Sequence, residues 1–207
     1  MTKPLLVVGN KNSSSWSLRP WLALKVAGID FDERVLLMDT PEFKSEMKKI
    51  SPTRKVPLLM HDGATVWESL AICEYAAETW APSLWPTDKK ARAHARSVSN
   101  EMHAGFMALR RSCSMSLKGD FKGTTLAPEA GADVHRILEI WRECRTRFGA
   151  GGPFLYGTFS IADAMYAPVC TRFTTYGIPA DETGQQYIDT IQSLPAFVEW
   201  KTAALLE

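Results

Sequence analysis

The sequence lacks a Cys-x-x-Cys pair and has no cysteines clustered at metal-ligand spacing. Its cysteines are far apart in the chain and are Cys73, Cys113, Cys144 and Cys170. This spacing argues against a zinc ribbon and against a dithiol redox motif. Each cysteine stands in an apolar, helix-like stretch, so we predict four small, buried hydrophobic side chains in a protein of a reducing compartment.

Long apolar runs and an excess of one charge are missing too. No run approaches the roughly 20 residues that a membrane helix needs, and the N-terminus, Met1–Pro4, lacks the apolar core of a signal peptide. The formal net charge is +1, which indicates neither a nucleic-acid partner nor binding to an acidic membrane. We therefore predict a cytoplasmic protein that binds no nucleic acid, membrane or metal.

The first part of the chain alternates between strand and helix patterns. Leu5–Val8 is a short, fully apolar run typical of a buried strand, and Phe31–Leu37 indicates a second strand. Between them, Trp16–Ala27 carries apolar residues at helical spacing and is followed by Gly28, a favourable helix C-cap. Pro41–Ile50 is predicted to be a short, lysine-bearing helix. A right-handed crossover would make the first two strands parallel.

A hairpin and a third helix complete this part. The apolar run Pro57–Met60 precedes Asp62-Gly63, a pair that favours a tight hairpin turn. Ser69–Thr79 follows with a helical pattern. The order βαβ, then α, then ββα is the layout of a thioredoxin-like domain, which we assign to residues 1–80.

Residues 81–87 contain two prolines and are predicted to be a linker, and residues 88–207 are predicted to form an all-helical domain. The first helical stripe of this domain consists of Ala91, Ala95, Val98, Met102, Phe106 and Leu109. Ser160 and Asp163 have the spacing of a capping box at the start of an apolar helix. The fold class is therefore α/β followed by all-α.

Four motifs in this order resemble the cytosolic glutathione transferases from end to end: Ser13–Arg19, Val56-Pro57, Glu68-Ser69 and the Ser160–Asp163 box. Within that family the chain looks like a bacterial, serine-type, zeta-like member, because the zeta class carries Ser-Ser-Cys where this chain has Ser14-Ser15-Trp16. Trp16 thus replaces the class cysteine. This departure argues against the maleylacetoacetate isomerisation that is typical of the class.

The resemblance implies that glutathione is the co-substrate and that a serine hydroxyl donates to its sulfur. A free thiol has a pKa near 8.5, so its ionisation at neutral pH needs stabilisation. The N-terminus of the first predicted helix offers N–H groups and a positive dipole end. We choose Ser14 as the donor, with Ser13 and Ser15 as the other candidates. The alternative is that these serines only cap the helix.

The resemblance also implies how the tripeptide is held. The backbone of Val56 would pair with the cysteinyl part, and a cis Val56-Pro57 bond would orient that edge. Glu68 would pair with the γ-glutamyl ammonium, and Ser69 with the carboxylate. Lys55 and Lys44 would reach the glycyl carboxylate, and Ser15 would lie beside the sulfur. The alternatives are an edge-strand proline, an ordinary helix cap and solvated lysines.

The second-substrate site is less well defined by the sequence. Arg92, Arg96, His103, Met107 and Arg110 are predicted to share one flank of a helix. From this flank we select His103, Met107 and Arg110, and we add Arg172, because zeta-like enzymes bind substrate carboxylates through an arginine one turn further along the later helix. The alternative for the arginine flank is that it faces water or a partner subunit. The alternative for His103 is that it has no catalytic role.

Three functions remain open. The leading prediction is a glutathione transferase, active in detoxification, that adds the thiolate to a small electrophile. The second is a glutathione-dependent isomerase or reductase, and the third is a weakly catalytic protein that binds glutathione or apolar ligands. By resemblance the chain would form a homodimer.

Overall fold

The computed structural model describes residues 2–207 and begins with a four-stranded sheet. The strand order is β2-β1-β3-β4, with β1 parallel to β2 and antiparallel to β3, and with β3 antiparallel to β4. The strands are β1 (Leu5–Val8), β2 (Asp32–Val35), β3 (Leu58–His61) and β4 (Ala64–Trp67). This is the mixed sheet that the sequence predicted for a thioredoxin-like domain.

Three helices accompany the sheet: α1 (Ser15–Val26), α2 (Pro41–Ile50) and α3 (Ser69–Thr79). The start of α2 follows from its sequence, because the Thr40 side chain accepts a hydrogen bond from the Phe43 N–H at 3.1 Å and Pro41 occupies the first turn. Gly28, with φ of 68°, lies just beyond the C-terminus of α1. The predicted order of strands and helices is confirmed.

The rest of the chain is helical, as predicted, after a short 3₁₀ turn at Pro82–Leu84 within the predicted linker. Its helices are α4 (Lys89–Ala104), α5 (Met107–Ser112), α6 (Pro128–Phe148), α7 (Ile161–Tyr176), α8 (Glu182–Ser193) and α9 (Pro195–Leu206). In the part of the chain that the structure describes, no helix is long and apolar enough to span a bilayer.

Two predicted elements differ from the structure. The second strand pairs only over Asp32–Val35 rather than Phe31–Leu37, because it lies at the edge of the sheet and three of its four residues are exposed. The predicted stripe after the linker is not one helix, since α4 ends at Ala104 and Phe106 takes a left-handed φ of 59°. Met107 and Arg110 therefore belong to α5 and do not share a helical flank with Arg92, Arg96 and His103.

Helix α1 connects the cores of the two parts. Its residues Leu18 to Leu24 are all buried, and the helix packs against α3, α7 and α9. The ring of Trp21 in α1 lies 5.0 Å from the ring of Trp200 in α9, in an edge-to-face arrangement. The chain segment that carries the predicted catalytic serines is thus anchored on both sides.

The capping box at Ser160 and Asp163 is formed at the start of α7. The Asp163 carboxylate is completely buried and accepts hydrogen bonds from the Ser160 N–H at 2.8 Å, from the Ser160 hydroxyl at 2.9 Å and from the Leu155 N–H at 3.0 Å. It therefore joins the loop before α7 to the helix as well as capping it.

Replacing Asp163 tests this double role. Asp163→Ala should lower the free energy of unfolding by about 3 kcal/mol, because it leaves three donors without an acceptor inside the protein. The matched control is Asp181→Ala at α8, where a half-exposed aspartate caps one N–H at 2.8 Å; there we expect a loss of about 1 kcal/mol. Equal losses in urea denaturation would contradict the role of Asp163 beyond capping.

Candidate active site

The serine turn lies at the N-terminus of α1, where Ser13 is exposed and Ser14 and Ser15 are buried. The hydroxyl of Ser14 donates to the hydroxyl oxygen of Ser17 at 2.8 Å, and that oxygen also accepts from the Gly9 N–H at 3.1 Å. The Gly9 N–H and the Ser14 hydroxyl thus both donate to the Ser17 oxygen, which links the loop after β1 to the serine turn. The sequence reasoning missed Ser17, which reads as an ordinary helical residue.

The loop before this turn is held by distant parts of the chain. The side-chain oxygen of Asn12 accepts from the Leu117 N–H at 2.8 Å, and the Lys11 carbonyl accepts from the Trp200 indole at 2.9 Å. The Glu207 carboxylate accepts from the N–H groups of Lys11 and Asn12 at 2.5 and 3.0 Å. The helical part of the chain therefore fixes the position of the serine turn.

Two cavities meet at Trp16 and Val56. The first, which we call the Ser14 cavity, has a volume of about 270 Å³ and is lined by Ser13, Ser14, Ser15, Trp16, Met38, Val56, Arg110, Ser114, Met115 and Arg172. The second, which we call the Lys55 cavity, has a volume of about 260 Å³ and is lined by Trp16, Thr53, Lys55, Val56, Pro57 and Glu68. The Val56-Pro57 bond between them is cis.

Glu68 and Ser69 lie where β4 leads into α3. Glu68 has a left-handed φ of 69°, a conformation that costs about 1–3 kcal/mol for a residue other than glycine and that is enriched at ligand-binding positions. Ser69 is completely buried, and its hydroxyl oxygen accepts from the Arg19 guanidinium at 3.5 Å. The start of α3 thus presents a carboxylate, a hydroxyl and backbone N–H groups together.

The ring of Trp16 contacts charged side chains from both the sheet domain and the helical part of the chain. The guanidinium carbons of Arg19 and Arg110 lie 4.4 and 4.8 Å from the centre of its ring. The His103 ring approaches the Trp16 ring edge-on at 5.3 Å, and the Nε2 atom of His103 lies 3.6 Å from the Glu68 carboxylate. A residue of α1 and residues of α4 and α5 therefore form one cluster between the cavities.

Arg172 adds a third positive charge near Arg19 and Arg110. Burial lowers the pKa of Arg172 to about 10, and the charge of Arg110 acts in the same direction. Arg172 donates to the carbonyl oxygens of Cys113 at 2.8 Å and Pro168 at 3.1 Å. Burial also lowers the pKa of Arg19 well below its usual range, and the charges of Arg110 and Arg172 contribute to this shift. The Ser14 cavity therefore lies in an environment that favours an anion.

Two predicted residues, Lys44 and Met107, lie outside the lining of the cavities, whereas Lys55 belongs to it. Lys44 is exposed on α2 and Met107 is exposed at the start of α5, and within residues 2–207 neither lines the Ser14 cavity or the Lys55 cavity. Lys55 is exposed and lines the Lys55 cavity. Arg19 was missed by the sequence reasoning; the only signal is a single arginine within the apolar stretch from Leu18 to Leu24.

This two-part fold, a mixed sheet domain followed by a helical domain, is the fold of solved glutathione transferase structures. The chain belongs to the glutathione S-transferase family: the family model of the N-terminal domain matches residues 13–79, and the model of the C-terminal domain matches residues 125–200. The resemblance found in the sequence is thus confirmed, together with the fold that it implied.

Individual relatives agree with this placement. A probable maleylacetoacetate isomerase of Caenorhabditis elegans is 30% identical over 95% of this chain and 92% of its own length. The maleylacetoacetate isomerase of Rattus norvegicus is 37% identical over 80% of this chain and 76% of its own length. The crystal structure of a glutathione transferase homologue from Burkholderia with bound glutathione has a TM-score of 0.75 and 24% identity, and the match covers 100% of both chains.

His103 gives a pH-dependent prediction. Burial lowers its pKa, Arg19 acts in the same direction and Glu68 opposes them, so NMR titration should find His103 below its usual pKa. Because the folded chain holds this proton less tightly than the unfolded chain, protonation of His103 opposes folding, and stability decreases as the pH falls through the folded pKa.

Replacing Glu68 tests whether its carboxylate acts on the pKa of His103. Glu68→Gln should lower the pKa of His103 further, because it removes the charge that favours the imidazolium. Glu78→Gln is the matched control, since Glu78 is an exposed glutamate of α3, the helix that Glu68 precedes. If both variants leave the titration unchanged, the pair of Glu68 and His103 does not exist in solution.

Proposed function

We propose that the protein is a glutathione transferase in which Ser14 and the N-terminus of α1 stabilise the glutathione thiolate for attack on a small electrophile. The observation that supports this most is the buried Ser14 hydroxyl, which lines a cavity together with two arginines, Arg110 and Arg172. Lowering the thiol pKa by about two units needs about 2.7 kcal/mol of preferential thiolate stabilisation. A hydrogen bond to a charged acceptor contributes about 1.5–3 kcal/mol.

The proton of Ser14 is available for this purpose. Hydroxyl groups rotate, so the bond between Ser14 and Ser17 can reverse its direction when an anion enters the cavity. The Gly9 N–H would then donate to Ser17, Ser17 to Ser14, and Ser14 to the sulfur. Hydrogen bonds in such a chain strengthen one another. In this proposal Ser14 is a donor and not a base.

The tripeptide would extend along the edge of the first domain. Its γ-glutamyl end would lie at Glu68 and Ser69, its cysteinyl backbone would pair with Val56, and Ser15 would lie beside the sulfur. Lys55 would approach the glycyl carboxylate from the Lys55 cavity, and Lys44 would reach it only if its side chain extends from α2. Glutathione then connects the two cavities past Trp16.

Ser14→Ala should raise the pKa of the bound glutathione thiol by about one to two units, because it removes a donor to the anion. The thiolate absorbance, followed against pH, measures this shift. Ser13→Ala and Ser15→Ala are the matched controls in the same turn. An unchanged titration in Ser14→Ala, or the shift appearing in a control instead, would assign the donor elsewhere.

For the second substrate we propose contacts from Arg110 and Arg172 in the Ser14 cavity. His103 and Met107 are not among the described residues that line this cavity, and would contact only an electrophile that extends beyond it. An electrophile with a carboxylate would then bind through the guanidinium groups. Arg110→Met should raise the KM for an acidic electrophile about tenfold, and should leave the KM for its neutral methyl ester nearly unchanged. Equal effects on both would show that Arg110 serves the fold alone.

A glutathione-dependent isomerase is the second candidate, and the names of the worm and rat relatives favour it. Trp16 stands against it, because the zeta-like motif has a cysteine there. Conjugation of a generic aryl halide, isomerisation of maleylacetoacetate and retention on immobilised glutathione separate the possibilities. Retention without either activity would favour a binding protein.

We also propose a homodimer, on family resemblance alone, and sedimentation velocity at micromolar concentration measures it.

A further inference from the structure

Arg19 is a completely buried cation in the second turn of α1. Its guanidinium makes one hydrogen bond within residues 2–207, from Nη1 to the Ser69 hydroxyl oxygen at 3.5 Å. The Nε and Nη2 atoms are buried, and no atom in the described part of the chain accepts from them. Buried charges in proteins are normally paired and fully hydrogen-bonded, so this arginine is an exception.

The contacts of Arg19, one hydrogen bond and the ring of Trp16, offset only part of the cost of its burial in the free protein. Removing a charge from water is costly unless a partner of opposite charge compensates. Here the charges that act on Arg19 include those of Arg110 and Arg172, which repel it. A methionine of similar volume would pack into α1 without these costs. The presence of arginine therefore calls for a role outside folding.

The geometry connects Arg19 to the start of α3. Because a guanidinium only donates, the Ser69 hydroxyl must accept from Arg19 and its own proton is free for a different acceptor. The same guanidinium lies over the ring of Trp16, which lines both cavities. An anion at the N-terminus of α3 would receive the Ser69 proton, the backbone N–H groups and the field of the buried charge.

We propose that Arg19 is a positioning residue for glutathione: it orients the Ser69 hydroxyl toward the γ-glutamyl carboxylate and supplies the positive charge that this carboxylate neutralises. The inference rests on the proposed function and adds to it a residue that does not touch the ligand. It also accounts for the missing counter-ion, because the bound carboxylate is that counter-ion.

The test compares two properties of the Arg19→Met variant, its melting temperature and its affinity for glutathione, which should not fall together. Arg19→Met should leave the melting temperature of the ligand-free protein unchanged or raise it, since an unpaired buried charge is replaced by an apolar side chain. The same variant should bind glutathione about tenfold more weakly or worse. It should bind S-methylglutathione more weakly by the same factor, because that ligand keeps the γ-glutamyl group and lacks an ionisable thiol.

A double-mutant cycle identifies the route of the effect. Ser69→Ala should weaken binding on its own, and Arg19→Met should weaken it less in the Ser69→Ala background than in the unmodified protein, because the part of its effect that depends on the Ser69 hydroxyl is already lost. Arg19→Lys keeps the charge and should restore part of the affinity, and it replaces Arg19→Met in the test if the latter does not fold. Arg96→Met, at a half-exposed arginine of α4 beside Glu74, is the control.

Three outcomes would overturn the proposal. They are an unchanged affinity in the Arg19 variants, a loss that affects glutathione but not S-methylglutathione, and additive effects of Arg19→Met and Ser69→Ala. The second outcome would assign Arg19 to the thiolate instead of the carboxylate. Failure of the unmodified protein to bind either ligand is a separate result, because it would reject the proposed function itself.

Discussion

The burial of α1 between the sheet domain and the helical domain is the constraint on which the site depends. Trp21 packs against Trp200 of α9, and the buried residues of α1 lie against α3 and α7. A shift of α1 would therefore disturb both cores, and close-packed interiors resist such shifts. The serine turn at one end of this helix gains a fixed position relative to the wall of the cavity that the helical domain contributes.

The loop before α1 extends the same constraint. Asn12 and Lys11 bond to Leu117, Trp200 and Glu207, which are separated from them by 105 to 196 positions in the sequence. Each bond is worth only about 1 kcal/mol. Together they leave the loop few alternative conformations, and a donor that is held in place loses little entropy when it binds an anion.

Local patterns were sufficient for the parts of the site that lie close together in the chain. The Asp62-Gly63 pair favours the positive φ values that its turn requires, and Glu68-Ser69 directly precedes a helical pattern, so the sequence predicted the hairpin and the start of α3. Parts that depend on distant packing were missed. Gly105 and Phe106 break a stripe whose apolar spacing continues across the break, and Arg19 differs from a solvated arginine only through the helices that cover it.

Trp16 affects the chemistry through the same cluster of charges. Its ring faces two guanidiniums and a histidine, and cation–π contacts of this kind contribute about 0.5–2 kcal/mol each where water is excluded. A cysteine at this position would leave Arg19 and Arg110 without the ring that both guanidiniums contact. Compared with the cysteine of the zeta-like motif, Trp16 therefore has two effects: it removes a thiol from the site, and its ring offers the neighbouring guanidiniums a cation–π contact.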